Sequence, residues 1–186
     1  GTEREQELVG SGVSYCALCD GAFFKDKDVA VVGGGSTAFS DALYLTKVCR
    51  RVTLIHRRAG FRAERPLIEA AEAAENLQIL TPYTVDGLLG TDRLTGLVLK
   101  NAETGEVTEL AVDGVFAAIG HMPNCGVVEE LLDLSDGYAA AGEDCRTKTP
   151  GLFVAGDCRS KAIRQLTTAI SDGTAAAVAA CEFLDA

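Results

Sequence analysis

The chain has 186 residues, 47% apolar and 24% charged, with a net charge of −10. That is apolar material for one ordinary domain or one and a half small ones. The acidity argues against a nucleic-acid or anionic-membrane surface, which needs clustered Lys and Arg, and no apolar run is long enough to span a bilayer.

In chain order, residues 1–12 are polar, lack the apolar stretch of a signal peptide, and read as a linker. Cys16-Ala17-Leu18-Cys19 follows, with Asp20 directly after it. Asp28–Val32 is a short apolar run that reads as a buried parallel strand. Gly33-Gly34-Gly35 ends it, and Ser36 caps a helix reaching to about Val48. Arg51–Ile55 is a second strand, and residues 56–62 are basic. Residues 65–75 are rich in Ala and Glu and predict a helix. Strand, glycine turn, helix and strand make a βαβ unit.

Four short strands come next, over residues 77–80, 84–89, 94–100 and 107–112, and they suggest an antiparallel meander. Residues 115–119 return to a buried strand. Composition then shifts, placing a boundary near 121–124. Residues 125–148 are loop-like with one short helix, residues 152–155 read as a strand, and residues 162–184 as a long Ala-rich helix. This tail has too few elements to bury a core of its own, so something must pair with it. The expected class is α/β: a Rossmann-like nucleotide-binding domain (residues 13–121) with an antiparallel meander, and a C-terminal strand–helix segment (residues 122–186).

Three features carry chemistry. Gly33-Gly34-Gly35-Ser36-Thr37-Ala38 fits G-x-G-x-x-A between a strand and a helix, where the backbone approaches a pyrophosphate and the helix N-terminus faces it. A tight strand–helix turn with no ligand is the bland alternative. At the end of the second strand an NAD site would carry an acid for the ribose 2′-OH. Here stand His56, Arg57 and Arg58, with Arg62 a turn later, which suit a 2′-phosphate and favour NADPH. A solvated basic loop is the alternative there.

The C-x-x-C beside a βαβ pattern reads as a redox dithiol, with Asp20 able to act as acid or base. Half a zinc site is the weaker reading, because no second close ligand pair exists. Two buried structural cysteines are the third. The other cysteines, Cys49, Cys125, Cys145, Cys158 and Cys181, are scattered. Their odd total with the pair does not fit a secreted disulfide framework.

Together these stretches resemble bacterial-type (low-molecular-weight) thioredoxin reductases. They are residues 14–21, the 33–38 loop, His56-Arg57-Arg58 with Phe61-Arg62-Ala63, Ala118-Ile119-Gly120-His121, Gly156-Asp157 and Arg164-Gln165. Leu18 departs from the Thr commonest there. The resemblance implies a cytoplasmic homodimeric flavoenzyme that passes electrons from NADPH through FAD to Cys16–Cys19 and on to thioredoxin.

It implies Cys19 facing the flavin, Cys16 attacking the partner disulfide, and Asp20 as proton donor. Gly33, Gly35, Ser36, Thr37, His56, Arg57, Arg58 and Arg62 would hold NADPH, Ile119 would lie near the nicotinamide, and Tyr138 would touch the cofactor. Asp157, Arg164, Gln165 and Leu166 would meet the flavin, with the last helix's positive end toward the ring. A peroxiredoxin reductase, a small-molecule disulfide reductase or an NADPH-binding redox module without turnover are the alternatives.

No second glycine fingerprint is present. The resemblance therefore implies a split FAD domain of which this chain carries only the second part, and weak flavin binding by the chain alone. Both the dithiol and the nicotinamide must reach one flavin, so it also implies rotation about residues 11–12 and 121–124.

Overall fold

The computed structural model describes residues 2–185. It divides into two compact units, Gly1–Gly120 and His121–Ala186.

Unit 1 is built on a five-stranded parallel sheet. Its strands are β1 (Val13–Ser14), β2 (Asp28–Val32), β3 (Arg51–Ile55), β4 (Leu77–Leu80) and β8 (Gly114–Ala117), in the order β1-β8-β2-β3-β4. The alternation of a strand sends side chains to both faces. Val29 and Val31 of β2 enter a core with helix α2 (Ser36–Leu45), helix α3 (Arg65–Glu72), Phe39 and Phe116. Ala30 faces the other way, into a second core with Leu8, Val13, Leu97 and Leu99. That second core is roofed by an antiparallel sheet of β5 (Tyr83–Leu89), β6 (Gly96–Asn101) and β7 (Val107–Ala111). A sheet buried on both faces explains why β2 and β3 read as continuous apolar runs.

Three expectations for this unit need correction. Leu77–Leu80 does not join the meander: it pairs in parallel with β3, from Val52–Leu77 to Ile55–Leu80. Four apolar residues alone do not distinguish the two kinds of sheet. Ser36 is not the cap of α2; Gly35 is, without a side-chain bond, and the Ser36 hydroxyl instead accepts the Glu64 N–H at 3.2 Å. The last buried strand stops at Ala117, and Ile119 is 71% exposed beyond it. Residues 2–12 pack on this unit: Leu8 is buried, and the Arg4 guanidinium donates to the carbonyls of Gly90 at 2.7 Å and Thr91 at 2.8 Å.

Unit 2 holds the ribbon β9 (Leu134–Ser135) and β10 (Tyr138–Ala139) and the long helix α4 (Leu166–Leu184). Residues 152–155 do not form the expected strand. Their ladder is a single bridge, Arg146 to Phe153, and a strand requires a continuous one. The helix begins at Leu166 rather than 162, because the Gln165 and Thr168 side chains close a capping box there. The apolar cluster, Cys125, Leu132, Ala139 and Val154, is small.

Candidate functional site

The dithiol motif sits where β1 ends. Cys16 is in extended backbone and caps the short helix α1 (Ala17–Asp20), its Sγ accepting the Cys19 N–H at 3.2 Å. One turn therefore brings the two cysteines together, and they are joined as a disulfide with Cα atoms 5.3 Å apart. Cys19 is exposed and Cys16 half-buried. Ser14, buried on β1, donates its hydroxyl to the Asp20 carboxylate at 2.7 Å and accepts the Cys16 N–H at 3.1 Å. The acid is thus held beside the disulfide by a residue that the sequence reading singled out only as part of a motif. Leu18, between the two cysteines, is 60% exposed. Among the described residues no group of His, Cys, Asp and Glu is arranged to hold a metal ion.

The glycine loop lies at the C-terminal end of β2. A Cβ on Gly33 would strike the Ala118 carbonyl, and one on Gly34 would enter the His56 ring. A Cβ on Gly35 would meet nothing within 4 Å. The first two glycines are required by the protein's own packing. The third leaves open space above the N-terminus of α2, where unpaired helical N–H groups favour an anion.

The basic loop closes over this turn, since the Arg62 N–H donates to the Gly34 carbonyl at 2.8 Å. His56 stands between them, its ring 5.7 Å from that of Phe61. Burial pushes the His56 imidazole below its ordinary value against the raising effect of a bond to Gly60, and Arg57, Arg58 and Arg62 push the same way as burial. The ring is therefore neutral at neutral pH, and the charge at this end of the loop is carried by the arginines. All three arginines are exposed, with no carboxylate paired to them among the described residues.

A cavity of about 530 Å³ connects these features. Gly33, Gly35, Thr37, His56, Arg57 and Arg62 line one side of it. Ile119 and Gly120 line it after β8, and Thr2 and Glu5 complete the rim. Arg58 and Ser36 do not line it. The cavity therefore has open space over Gly35 and cations at one end.

In unit 2 Arg164, expected at the flavin, is brought to Asp157 and to Tyr138. The Arg164 Nε donates to the Asp157 carbonyl at 3.1 Å, and its guanidinium lies 3.7 Å from the centre of the Tyr138 ring. Gln165 caps α4 and Leu166 is 76% exposed at its first turn. Beneath this loop is a cluster that the sequence reading missed. The buried Asp172 carboxylate accepts Arg159 through both oxygens at 2.9 Å, Lys161 at 2.9 Å and the Gly156 N–H at 3.0 Å. Arg159, above all, holds that carboxyl well below the usual carboxylate range. The spacing of these residues forms no motif, and only the rarity of a buried Asp in an Ala-rich helix could have signalled it. Outside the pair, burial pushes the Cys49 thiol up to about 11, and also raises Cys145 and Cys158.

Against known proteins, the model for the pyridine nucleotide-disulphide oxidoreductase family matches residues 1–173. The bifunctional thioredoxin reductase/thioredoxin of Mycobacterium leprae (strain TN) is 45% identical over 182 residues, spanning 97% of this chain and 40% of that protein. The thioredoxin reductase of Peptoclostridium litorale is 42% identical over 192 residues, spanning 100% of this chain and 61% of that one. Among solved structures, thioredoxin reductase from Streptococcus pyogenes MGAS5005 superposes with a TM-score of 0.89 at 40% identity, covering 94% of this chain and 58% of that chain. The enzyme from Giardia duodenalis gives 0.88 at 31% identity, with 100% and 62% covered. The chain thus spans about three fifths of the length of a typical thioredoxin reductase that it matches.

Proposed function

The chain belongs to the pyridine nucleotide-disulphide oxidoreductase family, and on that footing we propose that it carries the NADPH site and the redox disulfide of a thioredoxin reductase-type enzyme. The observation that carries this reading is the pairing, within unit 1, of a Cys16–Cys19 disulfide exposed at Cys19 and a glycine-loop cavity flanked by arginines. A structural disulfide would not call for a buried serine holding a carboxylate beside it.

In this reading Gly35 and the N-terminus of α2 receive the pyrophosphate, with Ser36 and Thr37 beside it. Arg57, Arg58 and Arg62 take the 2′-phosphate, His56 and Gly33 shape the floor, and Ile119 lies toward the nicotinamide. A flavin, held in part by Asp157, Tyr138, Arg164, Gln165 and Leu166, would supply the two-electron relay between nicotinamide and sulfur. Two electrons and two protons convert the Cys16–Cys19 disulfide into two thiols. Cys16 then attacks the acceptor disulfide as thiolate to form a mixed disulfide, and Cys19 attacks the Cys16 Sγ, which re-forms the Cys16–Cys19 disulfide and releases the acceptor as a dithiol. Asp20, anchored by Ser14, holds the proton exchanged with the leaving sulfur. Thioredoxin is the proposed acceptor, a cytoplasmic homodimer the proposed assembly, and residues 13–121 and 122–186 the proposed nucleotide and flavin portions.

Calorimetric titration tests the nucleotide half. NADP⁺ should bind at least tenfold more tightly than NAD⁺, and Arg57→Ala with Arg62→Ala should erase that preference. Equal affinity for the two nucleotides in the unmodified chain would refute the assignment.

A further inference from the structure

The cavity in unit 1 has a rim that the glycine loop and the arginines do not account for. Thr2 and Glu5 form it, together with Ile119 and Gly120. Three observations place the Glu5 carboxylate there by design of the fold. Arg4 is tied to Gly90 and Thr91, and Leu8 is buried in the second core, so the segment between them is pinned across the β5–β6 sheet. The Tyr15 hydroxyl donates to Glu5 Oε1 at 2.7 Å, and the Thr2 N–H donates to Oε2 at 2.9 Å. Tyr15 directly follows β1, at the C-terminal edge of the parallel sheet where the glycine loop, His56 and Ile119 also lie.

Strand order then fixes which end of a bound dinucleotide Glu5 meets. Along that edge β1, β8, β2 and β3 follow one another. Neighbouring strands are about 4.8 Å apart, so the end of β1 is about 14 Å from the end of β3. A dinucleotide with its 2′-phosphate on the arginines after β3 and its pyrophosphate over α2, after β2, must carry its other base onward past β8 toward β1. That base is the nicotinamide, whose carboxamide presents two N–H donors. A carboxylate is an acceptor only. The bond from Tyr15 holds the Glu5 carboxyl below its usual range, so it is charged at neutral pH.

We propose that Glu5 determines specificity at the nicotinamide end of this pocket, its carboxylate accepting a hydrogen bond from the carboxamide N–H. The inference rests on the reading of the pocket as a dinucleotide site. Its rival is that Glu5 only ties residues 2–10 to Tyr15.

The test uses the chain as it is and three probes: NADP⁺, its 3-acetylpyridine analogue, in which a methyl ketone replaces the carboxamide, and 2′-phospho-ADP-ribose, which has no pyridine ring. A hydrogen bond to a charged group corresponds to roughly tenfold in affinity. The unmodified chain should prefer NADP⁺ over the analogue by about that factor. Glu5→Ala should remove the preference and leave 2′-phospho-ADP-ribose unchanged. Glu5→Gln, which keeps one acceptor oxygen, should retain part of it, and Tyr15→Phe should keep most of it because the carboxylate remains.

A preference that survives Glu5→Ala overturns the proposal, as does equal weakening of all three probes, which marks a structural role. If NADP⁺ is bound with no preference over the analogue, Glu5 loses its role while the pocket keeps its reading. If neither NADP⁺ nor 2′-phospho-ADP-ribose binds, both fall.

Discussion

Unit 1 buries Phe39, Phe116, Leu54 and Leu97 on the two faces of one sheet, whereas unit 2 gathers four small or medium apolar residues beside a buried Asp172 with two cations on it. The contrast shows two ways to order a loop that carries function. In unit 1 the glycine turn is positioned by close packing, with Ala118 and Ala38 against Gly33 and the His56 ring against Gly34. In unit 2 the Gly156–Lys161 loop is gathered by a single carboxylate that takes up a backbone N–H, a guanidinium and an ammonium. Packing is insensitive to pH and salt; a buried ion cluster is not, and it fails abruptly when one member is lost.

The largest break in that comparison is expected from Asp172→Ala. Removing the carboxylate leaves Lys161 buried without a counter-ion and Arg159 with only the exposed Glu143, at a cost of about 3–5 kcal/mol. Hydrogen exchange should show the amides of α4 and of residues 154–161 losing protection while β2, β3 and β8 keep theirs. Unchanged protection in unit 2 would show that its apolar cluster suffices alone.

Gly34→Ala is the matching test in unit 1. Its Cβ would enter the His56 ring, so the loop or the ring must shift, and overpacking of this kind costs about 1–3 kcal/mol. Denaturant unfolding should report that loss, and NADP⁺ affinity should fall with it.

Acidification separates the units without mutation. Asp172 has a folded-state pKa below its unfolded value, so its contribution is present above the unfolded carboxylate range and is lost as pH falls. Exchange protection in unit 2 should therefore decline below about pH 4–5, before that of the sheet in unit 1. Parallel loss in both units would contradict the assignment.

The smallest effect belongs to Arg50→Ala. Its guanidinium pairs with Asp28 through both oxygens at 2.8 Å and 2.9 Å, but the arginine side chain is 67% exposed. A thermal-melt change worth no more than about 1 kcal/mol is expected.

The same contrast governs what could be read from the sequence. β2, the glycine turn and β3 were legible because burial on both faces writes a continuous apolar run, and a turn with no room for a Cβ writes glycine. The C-x-x-C was legible by spacing, since one helical turn joins its ends. Leu77–Leu80 reads as a meander strand because its parallel pairing with β3 is a tertiary fact that leaves no local mark. The Asp172 cluster joins residues 11 to 16 positions apart without periodicity. Glu5 was hidden for a different reason: a polar segment pinned by one arginine to two carbonyls looks, residue by residue, like a linker.

The His56 ring beneath the glycine loop has one further consequence. It occupies the volume that any side chain at position 34 would need, so the two positions form one unit of variation. A residue larger than glycine at 34 is accommodated at lower cost with a smaller one at 56. A library that randomises position 34 alone meets the ring at every non-glycine residue, while one that varies both positions jointly can relieve that clash.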